Sequence, residues 1–278
     1  MRRSIPTIVL AVVSAALAAG DDAKPGTPYR VHVASTLTVK TKQGETKAHT
    51  EGAFDYRLIR KGNEVQSAID GGSILFVMNG AERARATFNS QGMTAKNQKG
   101  TTKVEASQRP EIFASFGKPI ATYVLDNEGA EISRKVAETP SPLFTPDQFE
   151  NTRIFHPRFA RKLDEWDAPA LFPSASGQMA RGTVHYKKTG EKGGVVTVAV
   201  SGKLAATYKS AQAILKSGTY EVKGVQSFDI NTNEWISGKL DVQMKFEGEA
   251  PNGEIVSASG PVTMTLVSGA EAAKPETP

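Results

Sequence analysis

Between Trp235 and Phe246 the chain alternates without a break. Ile236, Gly238, Leu240, Val242, Met244 and Phe246 fall on one parity, and Trp235, Ser237, Lys239, Asp241, Gln243 and Lys245 on the other. Side chains repeat every two residues only in an extended strand, so this stretch predicts a β-strand with one buried and one solvated face. Its neighbours carry the same signal. Tyr220 and Val222 alternate with Glu221 and Lys223, and Val195 to Val200 is an almost continuous apolar run. Asn231-Thr232-Asn233 joins two of these strands. Asn252-Gly253 marks a type I′ hairpin, because both residues tolerate positive φ. The last strand places Val256, Ala258, Val262, Met264 and Leu266 on one face.

The first half reads alike. Tyr29, Val31, Val33, Leu37 and Val39 share one parity, with Arg30, His32, Thr36, Thr38 and Lys40 on the other. Turns at residues 42–45 and at Lys61-Gly62-Asn63 separate this strand from runs through Phe54, Tyr56 and Leu58 and through Val65, Ser67 and Ile69. Gly71-Gly72 is expected to break the chain before the apolar run 74–78, and 81–89 reads as a further strand. Pro110 stands at the first position of a short predicted helix over 110–116, followed by short strands at 122–125 and 131–136.

Six prolines and six aromatic residues fall between Thr139 and Pro173. Disordered linkers are poor in aromatics, so this stretch is expected to be an ordered connector that packs Phe144, Phe149, Phe155, Phe159, Trp166 and Phe172 onto the sheets, with a short helix starting at Thr145. The expected class is mainly β. Two antiparallel twisted meanders, residues 27–138 and 178–268, are joined by an aromatic and Pro-rich connector over 139–177. Long meanders curl, which points to a half-barrel-like shape with a concave face.

The ends of the chain differ from this texture. Met1-Arg2-Arg3, the apolar run 8–17 and the small residues around Ala18-Ala19-Gly20 follow the order of a cleavable secretory signal, assigned to residues 1–20. The run is about half the ~20 residues a spanning helix needs. The tail 269–278 is expected to be disordered. With Arg2 and Arg3 removed, 32 basic residues stand against 29 acidic ones. They form no basic stripe, so nucleic acid is not an expected partner. The chain has no cysteine, which excludes disulfides, thiol catalysis, Cys-ligated metal and a lipidated N-terminal cysteine. Periplasmic or secreted localisation follows.

In the second half, Leu163-Asp164-Glu165-Trp166 precedes the Tyr-bearing strand Gly182-Thr183-Val184-His185-Tyr186, and Phe228-Asp229-Ile230-Asn231-Thr232-Asn233 forms a hairpin. Over residues 155–267 this order resembles a family of exported, β-rich bacterial proteins known as a domain of unknown function. That family has a Gly-Asp-x-Trp turn and a Phe-Asp-x-x-Thr-Gly hairpin. Here the glycine of the first motif is absent, and Asn233 replaces that of the second. The resemblance implies an exported β protein and brings no catalytic residue with it.

No catalytic, cofactor or metal motif stands out. His32, His49, His156 and His185 lack metal-ligand spacing and read as surface or rim residues. Asp164, Glu165 and Asp167 around Trp166 could supply paired carboxylates on a sugar platform, but a charged solvated turn is the simpler reading. Arg83 and Arg85 on one strand face could meet an anion or could be edge charges that discourage sheet pairing. Gly190 to Gly194 lacks the strand-to-helix setting of a phosphate loop. The expected function is that of a non-enzymatic envelope protein without cofactor, binding a lipid-like ligand, a polysaccharide or an envelope protein in a concave sheet. A structural or assembly role is the alternative, and a wall-polymer hydrolase the least favoured.

Overall fold

The computed structural model describes residues 26–126, 131–136, 154–173, 179–209, 214–249, 253–270 and 272. The signal segment, the helix expected at Thr145 and Asn252 of the expected type I′ turn lie outside the described residues, as do most of the tail and the side chains of Phe144, Phe149 and Phe172.

Fourteen strands form one antiparallel sheet. The first half contributes β1 (Thr27–Thr41), β2 (Gly44–Lys61), β3 (Glu64–Met78), β4 (Ala81–Asn89), β5 (Gly92–Asn97), β6 (Gly100–Glu105), β7 (Pro119–Leu125) and β8 (Glu131–Val136), with one helical turn, α1 (Pro110–Phe113), before β7. The second half contributes β9 (Glu165–Pro173), β10 (Met179–Lys192), β11 (Val195–Lys209), β12 (Ile214–Asp229), β13 (Glu234–Glu249) and β14 (Ile255–Ser268). The main path runs β6-β5-β4-β3-β2-β1-β14-β13-β12-β11-β10-β9, with β7 on the lower part of β3 and β8 beside it. Among the described residues no ladder joins β6 to β9, so the sheet is open and half-barrel-like.

The two meanders expected from the sequence are present, but they are halves of one sheet. The first and last strands pair from Tyr29 opposite Ser268 to Lys40 opposite Ser257. β9 lies inside the stretch read as a connector and pairs along β10. β3 runs through Gly71-Gly72 unbroken: Asp70 forms a bulge opposite the Asp55–Tyr56 step, and pairing resumes at Gly71 opposite Asp55. The glycines sit inside the ladder because a bulge needs local backbone freedom, not a chain break. Ile236 likewise bulges, since Ser227 faces Ser237 while Phe228 faces Trp235. That extra residue turns Trp235 inward, to 4% exposure, against the simple alternation.

β5 and β6 escaped the sequence reading because both are polar and lack an apolar parity. Their turns carried the available signal. Asn89-Ser90-Gln91-Gly92 and Asn97-Gln98-Lys99-Gly100 repeat one Asn-x-x-Gly pattern. In each, the Asn side-chain oxygen accepts from the backbone N–H two residues on, at 2.8 Å.

The inward faces make one continuous core. Val198, Tyr220, Leu240 and Val242 have no exposed surface, and Met264 and Leu266 have 1%. Burial of each such side chain contributes about 1.5–3 kcal/mol. Curvature follows from where the inward face lacks side chains. Gly182, Gly202, Gly224 and Gly238 step across β10 to β13, each two residues further along the register than the last. A second diagonal of small residues runs Gly260, Ser35, Gly52 and Gly72 across β14, β1, β2 and β3. At Gly182, Gly202, Gly224 and Gly260 the neighbouring backbone closes in: a Cβ on Gly224 would lie 2.1 Å from the Lys239 carbonyl oxygen, and one on Gly260 2.1 Å from that of Thr36. Glycine rows of this kind let a sheet bend sharply toward its inner face.

Among the described residues of the first half, Arg57 is the one buried charge, at 5% exposure. It grips Asp70 of the β3 bulge by Nε at 2.5 Å and Nη2 at 3.0 Å, and Nη2 also donates to the Gly117 carbonyl at 3.3 Å. The pair ties β2, the bulge and the turn before β7. Arg57→Met is expected to cost about 1–3 kcal/mol by removing the guanidinium's bonds to Asp70 and to the Gly117 carbonyl, read as a lower urea midpoint at unchanged slope.

Candidate functional site

Residues 154–163 cross the inner face as a strap, at the end of the sheet where β1 starts and β12 turns into β13. They have no ladder to satisfy their backbone, so side chains of the sheet do it. Gln226 donates Nε2–H to the Ile154 carbonyl at 2.9 Å, and Trp235 donates Nε1–H to that of Pro157 at 2.8 Å. Phe155 is fully buried, and its ring occupies the space left by Gly238, 3.0 Å from where a Cβ would be. Phe159 stacks on Phe228 at 4.0 Å between centroids and meets Trp166 and Trp235 edge-on at 5.6 and 5.9 Å. The Lys188 ammonium lies over the other rings' neighbour, Phe159, at 5.4 Å and donates to the Arg161 carbonyl at 2.8 Å. Arg161 closes the strap by donating to Ile230 O at 3.2 Å and Asn233 Oδ1 at 2.9 Å.

At the strap's first turn, His156 enters a tyrosine pair. Tyr29 and Tyr56 stack at 5.3 Å, and the imidazole stands edge-on to both, at 5.0 and 5.9 Å. Its Nε2 and the Tyr56 hydroxyl share a hydrogen bond of 2.5 Å. Burial, aided by the Arg60 charge, pushes the imidazole down to about 3. Burial also raises both phenols, Tyr29 with help from the adjacent Glu234 carboxylate. Glu234 accepts from the Thr27 hydroxyl at 3.2 Å on either oxygen. The imidazole and both phenols are thus held neutral across ordinary pH. A general base needs a poise near the working pH, and this histidine has been moved far below it. The arrangement fastens the strap to the sheet.

His156 therefore corrects the reading of all four histidines as surface or rim residues. The other three lie in strands beside polar neighbours. His49 bonds Thr36 and Glu51, at 2.9 and 3.0 Å. His185 contacts Asp167 at 2.9 Å and Glu165 at 3.6 Å. Among the described residues, no three His, Asp or Glu side chains are grouped to hold a metal ion.

The acidic group at 164–167 divides by strand parity. Trp166 turns inward and stacks on Tyr186 at 5.4 Å, while Glu165 and Asp167 face solvent opposite Lys187 and His185. The Lys187 ammonium, in contact with Glu165, holds that carboxyl below its usual range. A glycosidase acid must be kept protonated, which is the opposite shift. The tryptophan is beneath the sheet, so no sugar platform forms beside these carboxylates. Arg83 is itself the bulged residue opposite the Phe76–Val77 step, which takes it out of register with Arg85, and Arg85 pairs with Glu82 at 3.2 Å.

The strap site was legible in part. Its aromatic richness predicted packing onto the sheet, and Phe155, Phe159 and Trp166 do so. The Tyr29–Tyr56–His156 cluster was not, since its members lie up to 127 positions apart (Tyr29 to His156) and each looks unremarkable locally.

No protein-family model matches the chain, and no curated protein matches it. Three solved structures align over most of its length. A DUF1329 family protein from Desulfovibrio piger is 9% identical, with 87% of this chain and 86% of that chain covered and a TM-score of 0.23. The Pseudomonas aeruginosa protein OccK7 (OpdD) is 10% identical, with 87% and 99% covered and a TM-score of 0.23. A bacterial polysaccharide outer membrane secretin is 6% identical, with 88% and 98% covered and a TM-score of 0.19. Likenesses at these scores carry no argument about this chain. Of the resemblance drawn from residues 155–267, the coarse part stands on the strands themselves: among the described residues, β9 to β14 make up most of this stretch from Glu165 on.

Proposed function

We propose that the chain is an exported, non-enzymatic protein of the cell envelope that works by contact with a partner protein on its solvated surfaces. One observation carries the choice between a carrier and a scaffold: the inner face is filled. Over β10 to β14 its aliphatic side chains are buried to within a few per cent, while Leu58, Met78, Met93 and Val104 of the first half are partly buried against the same core, and the strap's own Phe155 and Phe159 occupy the ground an apolar ligand would need there. Export is supported by the order of charge, apolar run and small residues in 1–20. The resemblance of residues 155–267 to an exported family supports it too.

At neutral pH the full chain is expected to take up no fluorescent fatty-acid probe. Saturable, stoichiometric uptake would replace the scaffold reading with lipid carriage. N-terminal sequencing of protein from a periplasmic extract is expected to begin near Asp21. A chain still starting at Met1 would remove the export part. The hydrolase reading is tested with an Asp164→Ala, Glu165→Ala, Asp167→Ala variant. These side chains are exposed, so its melting temperature is expected to match that of the parent, and any wall-polymer hydrolysis the parent shows is expected to persist.

A further inference from the structure

We propose that the 154–163 strap is released by acid while the sheet stays folded, uncovering the aromatic inner face around Phe228 and Trp235. The strap differs from every strand in how it is held. It adds no ladder and rests on a few side-chain bonds, one ring stack and the Tyr56–His156 bond. The sheet beneath is held by full-length ladders on both sides of β12 and β13. Segments with few backbone bonds open at lower free energy than the ladders around them.

His156 supplies the trigger. The groups facing it are Tyr29 of β1, Tyr56 and Arg60 of β2, with Tyr123 of β7 behind Tyr56 and Glu234 of β13 behind Tyr29. Both tyrosines are neutral, and the nearest charge on the ring is the cationic Arg60. Among the described residues the one carboxylate named around the cluster, Glu234, is engaged by Thr27. A protonated imidazole finds no compensating anion in this setting, so the proton binds the released strap in preference to the closed one. The sign follows. Above about pH 6.5 neither state takes the proton and the strap is indifferent to pH. Below it the open state gains a proton that the closed state refuses until about 3. At about pH 4.5 the opening equilibrium is shifted roughly a hundredfold toward release relative to neutral pH.

The protein carries its own reporter. It has two tryptophans, Trp166 and Trp235, and both touch Phe159. On lowering the pH of the full chain from about 7.5 to about 4.5, the tryptophan emission is expected to move to the red and ANS to bind, with the far-UV circular dichroism of the sheet unchanged. His156→Gln keeps a hydrogen-bond partner for Tyr56 and cannot titrate, so its emission is expected to hold steady over that range. The proposal is overturned if wild-type emission and far-UV signal change together, if emission does not move at all, or if His156→Gln responds as the parent does. The wild-type comparison of the two signals decides even where the variant folds poorly.

Discussion

Phe159→Ala is expected to cost about 3–5 kcal/mol, as for other buried aromatic truncations. The ring is 4% exposed and serves four neighbours at once: the Phe228 face, the edges of Trp166 and Trp235, and the Lys188 ammonium. Aromatic pairs add about 0.5–1.5 kcal/mol beyond the area they bury, so the loss sits toward the upper end. Truncation also leaves a hole that the strap cannot collapse into, because its backbone carbonyls are held at Ile154, Pro157 and Arg161 by Gln226, Trp235 and Lys188 of the sheet. The measurement is urea unfolding followed by far-UV circular dichroism, with tryptophan emission in parallel. A loss of unfolding free energy below about 1 kcal/mol would mean that the strap contributes little to the fold. Phe159→Leu refills part of the volume without the stack, and is expected to recover part of the loss.

Gly224→Val is expected to cost about 3 kcal/mol or more, near the limit of what overpacking does. The position looks innocuous: an ordinary strand interior where valine has the higher strand preference. Its Cβ, however, would fall 2.1 Å from the Lys239 carbonyl oxygen and 2.9 Å from the Cα of Leu240. Both atoms are backbone, so no rotamer relieves the contact and β13 must move away from β12. Gly190→Ala is the matched control. Nothing lies within 4 Å of its Cβ, and its stability is expected to be unchanged. If Gly224→Val were as stable as that control, the glycine diagonal would have no part in bending the sheet.

These two positions show what local pattern conveys and what it hides. Phe159 was legible as an aromatic that must pack, since a Pro-rich stretch with so many rings cannot stay solvated. Its partners were not legible, because Phe228 and Trp235 lie about seventy positions further on and Trp235 faces inward only through the Ile236 bulge. Gly224 carries no local signal in its strand. Its role is visible only when the registers of β10 to β13 are laid side by side and the glycines fall on one diagonal.

The sequence by itself determined the mainly β class, most strands and the buried parity of each, because side-chain direction in a strand depends on nothing beyond the next two residues. It also determined the absence of disulfides and the export-like N-terminal order. Tertiary structure alone decided that the two meanders are one sheet, since the β1–β14 ladder joins residues more than two hundred positions apart. It decided that a strap fills the concave face, and that His156 is a buried neutral fastening and not a rim residue. Pairing partners and burial are long-range properties, set by which surfaces remain to be covered once each local strand has formed.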